Sequence, residues 1–237
     1  MSFSLKLIQF HSQFKGNKWI GYFTVFVRLA LAAGFIPSGI TKIIGERFTA
    51  LSINHPMGNY LEALHYTGYY YEFIGYFQVL AAVLLLIPRT ATLGAIIYFP
   101  IILNICVLSF AVRFEGSMVT SPLMVVANLY LLFWDYDKIK FILPFKQNVQ
   151  LHDSYNPSKL NRKFSVLFFG GVIITILTLV MIIINIFEIE PRNTIRDCNL
   201  QCDSSSYSEA CEAFCECIHT QGKTLNECLT EYEKAKQ

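Results

Sequence analysis

Charge is scarce in this chain. Only 15% of its 237 residues are Asp, Glu, Lys or Arg, where soluble domains carry about a quarter, and 54% are hydrophobic. That shortage argues against an ordinary soluble enzyme. A formal net charge of +2, with no basic stretch interleaved for phosphate tracking, argues against nucleic acid as a partner. The motifs of soluble catalysis are also missing: there is no P-loop, no dinucleotide-binding fingerprint and no His-Glu-x-x-His. No catalytic residue can be named on this basis, and neither ATP-driven transport nor NAD chemistry has support. Cysteine is nearly absent before residue 198, where Cys106 stands alone in an apolar segment and reads as packing.

What fills the chain instead is long apolar runs. A helix needs about 20 residues to cross a bilayer, and five segments qualify, near 20–44, 70–87, 91–112, 118–134 and 165–187. The last, Ser165 to Phe187, contains no charge. Tyr69, Tyr70, Tyr71 and Trp134 stand at segment ends, where an aromatic belt lies. A signal peptide is the rival reading of the first segment. Its apolar run continues through Pro37 to Ile44, longer than a usual signal core, so it is taken as a permanent helix. The mean hydropathy of +0.43 agrees with an integral membrane protein.

Orientation follows from the basic residues. The leader 1–19 carries Lys6, Lys15 and Lys18, the second link carries Arg89, and residues 135–164 carry six Lys and Arg. The other two short links hold only Arg47 and Arg113. The positive-inside rule then puts the N-terminus in the cytoplasm of a cell's inner (plasma) membrane, with a cytoplasmic loop over 138–164. Five crossings place residues 188–237 outside. The cysteines agree, because six of the seven fall in that tail, and disulfides persist in oxidising compartments.

The tail spacing is Cys198-x3-Cys202, Cys211-x3-Cys215-x-Cys217, then Cys228. Each x3 pair lies at i and i+4, on one helical face. Thr194-x-x-Asp197, Ser206-x-x-Glu209 and Thr224-x-x-Glu227 resemble capping boxes, and Gly222 can end a helix. Three short helices are predicted, near 195–203, 207–220 and 225–235. Two antiparallel Cys-x3-Cys helices can be stapled twice, Cys198 to Cys215 and Cys202 to Cys211, which leaves Cys217 for Cys228. Six cysteines allow fifteen pairings, so geometry alone selects this one. A metal on Cys215, Cys217 and His219 is disfavoured, because two-residue steps on a helix diverge by about 200°. Thiol–disulfide exchange is disfavoured by the lack of Cys-x-x-Cys.

Ionisable residues inside a span need a partner or a task. Lys42 and Glu72 fall at matching depths, so a pair facing the bundle interior is expected, against separate snorkelling to the interface. Arg28 could reach Asp135 or Asp137, or a lipid phosphate. Gln78, Asn104 and Asn128 are neutral polar residues at buried depths, suited to interhelical hydrogen bonds. Gly75 and the pair Gly170-Gly171 read as close-packing sites. The connection 45–69 is amphipathic through Phe48, Leu51, Met57, Leu61 and Leu64, and suits capping of the bundle or the membrane surface. It also carries His55, His65, Glu46 and Glu62, whose spacing is not diagnostic of a metal.

Within the first four segments, Arg28-Leu-Ala-Leu-Ala-Ala-Gly34 leads to Ser38-Gly39-Ile-Thr-Lys42-Ile. Glu72-Phe-Ile-Gly75 and Leu84-Leu-Leu-Ile-Pro88-Arg89-Thr-Ala91 follow. Residues 20–140 resemble the DoxX family of small four-helix bacterial membrane proteins. The resemblance implies a four-helix transmembrane bundle over 20–137, and membership of membrane oxidoreductase assemblies. A related protein is described as the small subunit of a thiosulfate:quinone oxidoreductase. It implies further that Lys42, Glu72 and Arg28 line an interior site or fix the bundle, with a quinone as the cofactor to consider. The fifth helix and the cysteine tail depart from the basic family pattern.

The fold expected is therefore an all-α integral membrane protein: a four-helix bundle, a fifth spanning helix and a disulfide-rich helical tail outside. The function expected is that of an accessory or scaffold subunit, its partners the lipid bilayer and a membrane or extracytoplasmic protein. A quinone-linked oxidoreductase subunit with a polar site around Lys42 and Glu72 is the alternative. Transport through the bundle lacks the inverted repeat or broken helix pair it would use.

Overall fold

The computed structural model describes residues 15–139, 162–203 and 205–236. Lys6 in the leader and most of the 138–164 loop fall outside them. The described residues are all-helical. They form α1 (Lys18–Ile43), α2 (Pro56–His65), α3 (Tyr69–Leu86), α4 (Ala91–Ala111), α5 (Glu115–Met118) and α6 (Thr120–Trp134). Then come α7 (Tyr136–Ile139), α8 (Arg162–Ile184), α9 (Ile195–Cys202), α10 (Ser208–His219) and α11 (Leu225–Ala235). Five helical stretches are long and apolar enough to cross a membrane, the fourth running from Glu115 through α5 and α6 to Trp134.

α1, α3, α4 and α6 form a ring in which each packs on the next and α6 closes back on α1. The tightest seam is α1 on α3. A Cβ added at Gly39 would stand 2.9 Å from the Gly75 carbonyl, and one at Gly75 would stand 2.7 Å from the Gly39 carbonyl. The two backbones can therefore touch only because both residues are glycine. α3 and α4 approach in the same way at Gly94, whose Cβ would meet the Leu85 nitrogen at 2.7 Å. Phe35 and Tyr98 stack at 3.6 Å in the middle of the ring, and the Tyr98 hydroxyl donates to the Leu31 carbonyl at 3.2 Å. Val27, Leu31, Ala81, Leu85, Ala95 and Ile102 complete the core.

α8 stands apart from the ring. Only 6% of its apolar window is buried, against 28% to 33% in the other four. It leans on α1 and α6 near its start, where Phe168 and Phe169 meet the Phe23 ring at 5.6 and 5.7 Å. Asn17 fixes that contact: its carbonyl oxygen caps α1 through the Trp19 N–H, and its Nδ2 donates to Ser165 Oγ at 2.6 Å. Gly170 and Gly171, expected to be close-packing sites, face open space. A glycine pair permits close approach but supplies no neighbour.

The tail helices lie within one or two residues of their predicted limits. Thr194 caps α9 through the Asp197 N–H, and Thr224 with Glu227 forms a reciprocal capping box on α11. α10 is different: its N-cap is Tyr207, and Ser206 does not cap it. Gly222 takes φ +64° between α10 and α11. Three disulfides join Cys198 to Cys215, Cys202 to Cys211 and Cys217 to Cys228. These are the pairs the i, i+4 ladder selects. They enclose a core of Ile189, Phe214, Ile218 and Tyr232, too small to hold a domain of this size alone.

The glycine seam yields a testable contrast. Gly75→Ala is expected to lower unfolding stability in detergent by about 1–3 kcal/mol through overpacking. Gly171→Ala should leave it unchanged or raise it by up to about 1 kcal/mol through helix propensity. Equal losses at both positions would remove the seam from the account.

Candidate functional site

Two polar clusters lie within the ring, one at each end, and a third region joins the ring to the tail. Lys42, in the last turn of α1, is 6% exposed. Its Nζ donates to the Ser38 carbonyl at 3.1 Å and to Ser38 Oγ at 2.7 Å. Ser38 Oγ donates on to Gln78 Oε1 at 3.4 Å. The ammonium lies 4.4 Å from the Phe48 ring and 5.8 Å from the Tyr71 ring. Tyr71 holds that roof in place, since its hydroxyl donates to the Glu46 carbonyl at 3.0 Å and accepts from the Phe48 N–H at 3.1 Å.

The expected Lys42–Glu72 pair does not form, and no ion pair joins the two among the described residues. Depth is only one of two coordinates on a helix. Tyr71, Gly75 and Gln78 make the buried stripe of α3, and Glu72 sits one step, about 100°, away from it. Tyr71 is likewise buried rather than placed in an aromatic belt, whereas Tyr69 and Tyr70 are exposed.

At the opposite end, Arg28 reaches Asp135 rather than Asp137, with Nη2 3.8 Å from Oδ2. Asp135 is 4% exposed; it accepts from Thr92 Oγ1 at 2.7 Å and pairs with Lys138 at 3.2 Å. Asp137 pairs with Lys15 at 3.0 Å. The sequence named Arg28 but not Thr92, which carries no charge to draw notice.

Of the three mid-span carboxamides, Gln78 and Asn128 point inward, and Asn128 Nδ2 donates to the Ala95 carbonyl at 3.0 Å. Asn104 does not: it is exposed on the outer face of α4. Cys106 is free and half-buried.

The third region is where the tail rests on the ring. Asn54 Nδ2 donates to the His219 carbonyl at 2.7 Å. Arg113 Nη1 donates to the Ile189 carbonyl at 2.8 Å, and its guanidinium lies over Phe187 at 4.5 Å. Arg192 pairs with Glu115 at 2.6 Å and with Glu190 at 3.5 Å. Both arginines hold a left-handed backbone at φ 51°, and they are the non-glycine residues of positive φ among those described. Such conformations persist where surrounding contacts fix them.

Two histidines stand beside the link into the tail. His55 is 1% exposed and caps α2, its Nδ1 accepting the Met57 N–H at 3.1 Å, with Pro56 at the first helical position. That leaves Nε2 to carry the proton, and the nearby Arg192 backbone favours its charged form. His219 Nε2 donates to the Pro191 carbonyl at 2.7 Å, and the two imidazoles are 6.0 Å apart. Burial, reinforced by His219, pushes His55 down to about 4 against the pull of the Arg192 carbonyl. Burial also raises the nearby Glu190 carboxyl above its usual range, and Arg192 opposes this.

The metal-type residues of the 45–69 connection are not gathered together. Glu62 pairs with Arg47 at 2.8 Å, His65 packs on Tyr71 at 5.4 Å, and His55 faces the tail. Among the described residues one trio of potential ligands is close enough to share an ion, Cys202, Cys211 and Cys215, and its sulfurs are all in disulfides.

His55 binds its proton more weakly in the docked state than in water. Tail docking is therefore expected at full strength above about pH 6.5 and to weaken by up to roughly tenfold per unit as pH falls toward 4. The distance between labels at Tyr66 and Glu216 reads this directly. His55→Asn, which can still cap α2, should lose that component of the pH dependence.

Over 126 residues, 51% of this chain, the sequence is 38% identical to the "Uncharacterized protein YwoB" of Bacillus subtilis (strain 168), 80% of which is covered. No family model matches, and no solved structure matches. The chain belongs to the family of the Bacillus subtilis protein YwoB.

Proposed function

We propose that the chain is a DoxX-like integral membrane accessory or scaffold subunit of a membrane complex, presenting its disulfide-stapled helical module outside the membrane. One observation carries the reading: the tail is seated on the ring through Asn54, His55, Arg113 and Glu115, while its far side stays free. A tail that only trailed from α8 would not need those contacts. On the side away from the ring Ile195 is exposed beside Asn199, Glu209, Glu212 and Glu216, a surface suited to contact with a protein. The orientation rests on charge: Lys15, Lys18, Arg89 and Lys138 gather at the ring end away from the tail. By the positive-inside rule this end faces the cytoplasm of the plasma membrane. The six tail cysteines, all in disulfides, fit the oxidising side.

A second reading, a quinone-linked oxidoreductase subunit, is favoured by Lys42. Among the described residues no carboxylate pairs with this buried ammonium, which could stabilise negative charge developing on a carbonyl oxygen. Glu72 has no part in this version of the site.

A mild-detergent pull-down on the tagged full chain, beside one cut after Glu190, separates the two. A stoichiometric protein partner that disappears with the tail is the expected result, with bundle stability retained. Co-purifying quinone that survives the cut but is lost in Lys42→Met would overturn the scaffold reading and place the function in the ring.

A further inference from the structure

The exposed residues of α4 are Leu93, Ile96, Pro100, Leu103, Asn104, Val107 and Ala111. Apart from the adjacent Leu103 and Asn104, they follow at steps of three and four residues and make one continuous stripe along the helix, the spacing of a helix–helix seam. The stripe is apolar except at Asn104. That residue is the fourteenth of 21 in α4, about two turns from the nearer end, too deep for a short amide to reach an interface. It also leaves its amide unused. Asn185, at the edge of α8, folds back to donate to the Met181 carbonyl at 2.7 Å, and Thr175 does the same to the Gly171 carbonyl at 2.9 Å. Asn104 makes no such bond to any described residue. α8 does not cover it either, because α8 lies against α1 and α6, and α4 sits diagonally across the ring from α1.

In hydrocarbon an unused carboxamide is costly, and a hydrogen bond to another helix recovers that cost. The group offers both a donor and an acceptor, so two copies related by a twofold axis along the membrane normal satisfy each other. Such an axis keeps both chains in the same orientation and lays stripe against stripe. We propose that the α4 face is the interface between two copies of this chain, centred on a reciprocal Asn104–Asn104 hydrogen-bonded pair. The inference rests on the membrane placement proposed above and is independent of what the tail binds.

The test uses the full chain in phosphatidylcholine–phosphatidylglycerol vesicles, with donor- and acceptor-labelled populations mixed over a range of protein-to-lipid ratios. Energy transfer is expected to rise with protein density along a dimer curve. At about threefold for each interhelical hydrogen bond, losing the pair in Asn104→Leu should weaken association roughly tenfold, while Asn104→Gln retains most of it. Val107→Cys in a Cys106→Ala chain supplies a readout that leaves Asn104 intact. It should cross-link on mild oxidation, and Leu177→Cys on α8 should not. Transfer no greater than chance proximity, an unchanged curve for Asn104→Leu, or cross-linking at residue 177 in place of 107 would each overturn the proposal. A chain that fails to float with the vesicles would instead refute the membrane placement on which it rests.

Discussion

Gly39 and Gly75 let two helix backbones touch, and the polar geometry at that end of the ring depends on this contact. Ser38 is adjacent to Gly39, Lys42 follows it by less than a turn, and Gln78 follows Gly75 by the same step. With no Cβ between the backbones, these side chains are pressed into the α1–α3 seam, where Lys42 meets Ser38 and Ser38 meets Gln78. Tyr71, one turn before Gly75, then holds the chain at residues 46–48 across the opening. A larger residue at either glycine would part the helices and leave the ammonium without its surroundings. The seam is thus a packing feature with a polar consequence, and the second follows mechanically from the first.

The tail is held by a different kind of contact. Its own fold is set by covalent staples, since its apolar core is small. Its position on the ring is set by the backbone carbonyls of Ile189 and His219, which accept from Arg113 and Asn54, and by the Arg192–Glu115 ion pair. Burial keeps His55 neutral, so docking uses an imidazole in the state burial favours. Arg192 is left-handed just after Pro191, whose carbonyl accepts from His219, and its guanidinium reaches Glu115. The short link between α8 and α9 and the end of α10 together orient the tail.

Hydropathy was enough to find the apolar helices, and cysteine spacing with the Thr194 and Thr224 caps was enough to outline the tail. Those features are local, repeating or both. What escaped was azimuth. Lys42 and Glu72 were expected at one depth, yet Lys42 packs level with Gly75, and a single residue step on α3 separates Glu72 from the buried stripe. Asn104 misled in the same way, being two steps from buried Ile102, while Asn128 fell on the inward face. The docking contacts escaped for another reason: a backbone carbonyl is offered by every residue and marks no position in a sequence. His55 is the partial exception, because a polar residue before Pro56 is a legible helix start, though its grip on the tail is not.

The two ends of the ring treat their buried cations differently, and the difference bears on where chemistry or contact can occur. Arg28 is opposed by Asp135, which Thr92 and Lys138 also engage, so charge there is neutralised by charge. Among the described residues Lys42 is opposed by dipoles alone: a carbonyl, a hydroxyl, two aromatic faces and the negative end of α1. An anion or polarised oxygen reaching Lys42 would add to those interactions without displacing a carboxylate. Its cover, Phe48, belongs to the same connection that carries Asn54 and His55 to the tail. Arg47 stiffens that connection through the Leu51 carbonyl and Glu62. A displacement of the tail thus acts on one end of a segment whose other end lies over the ammonium. The tail thus touches the ring through this connection as well as through Arg113 and Glu115, so Lys42 and the docked tail lie at the same end of the molecule.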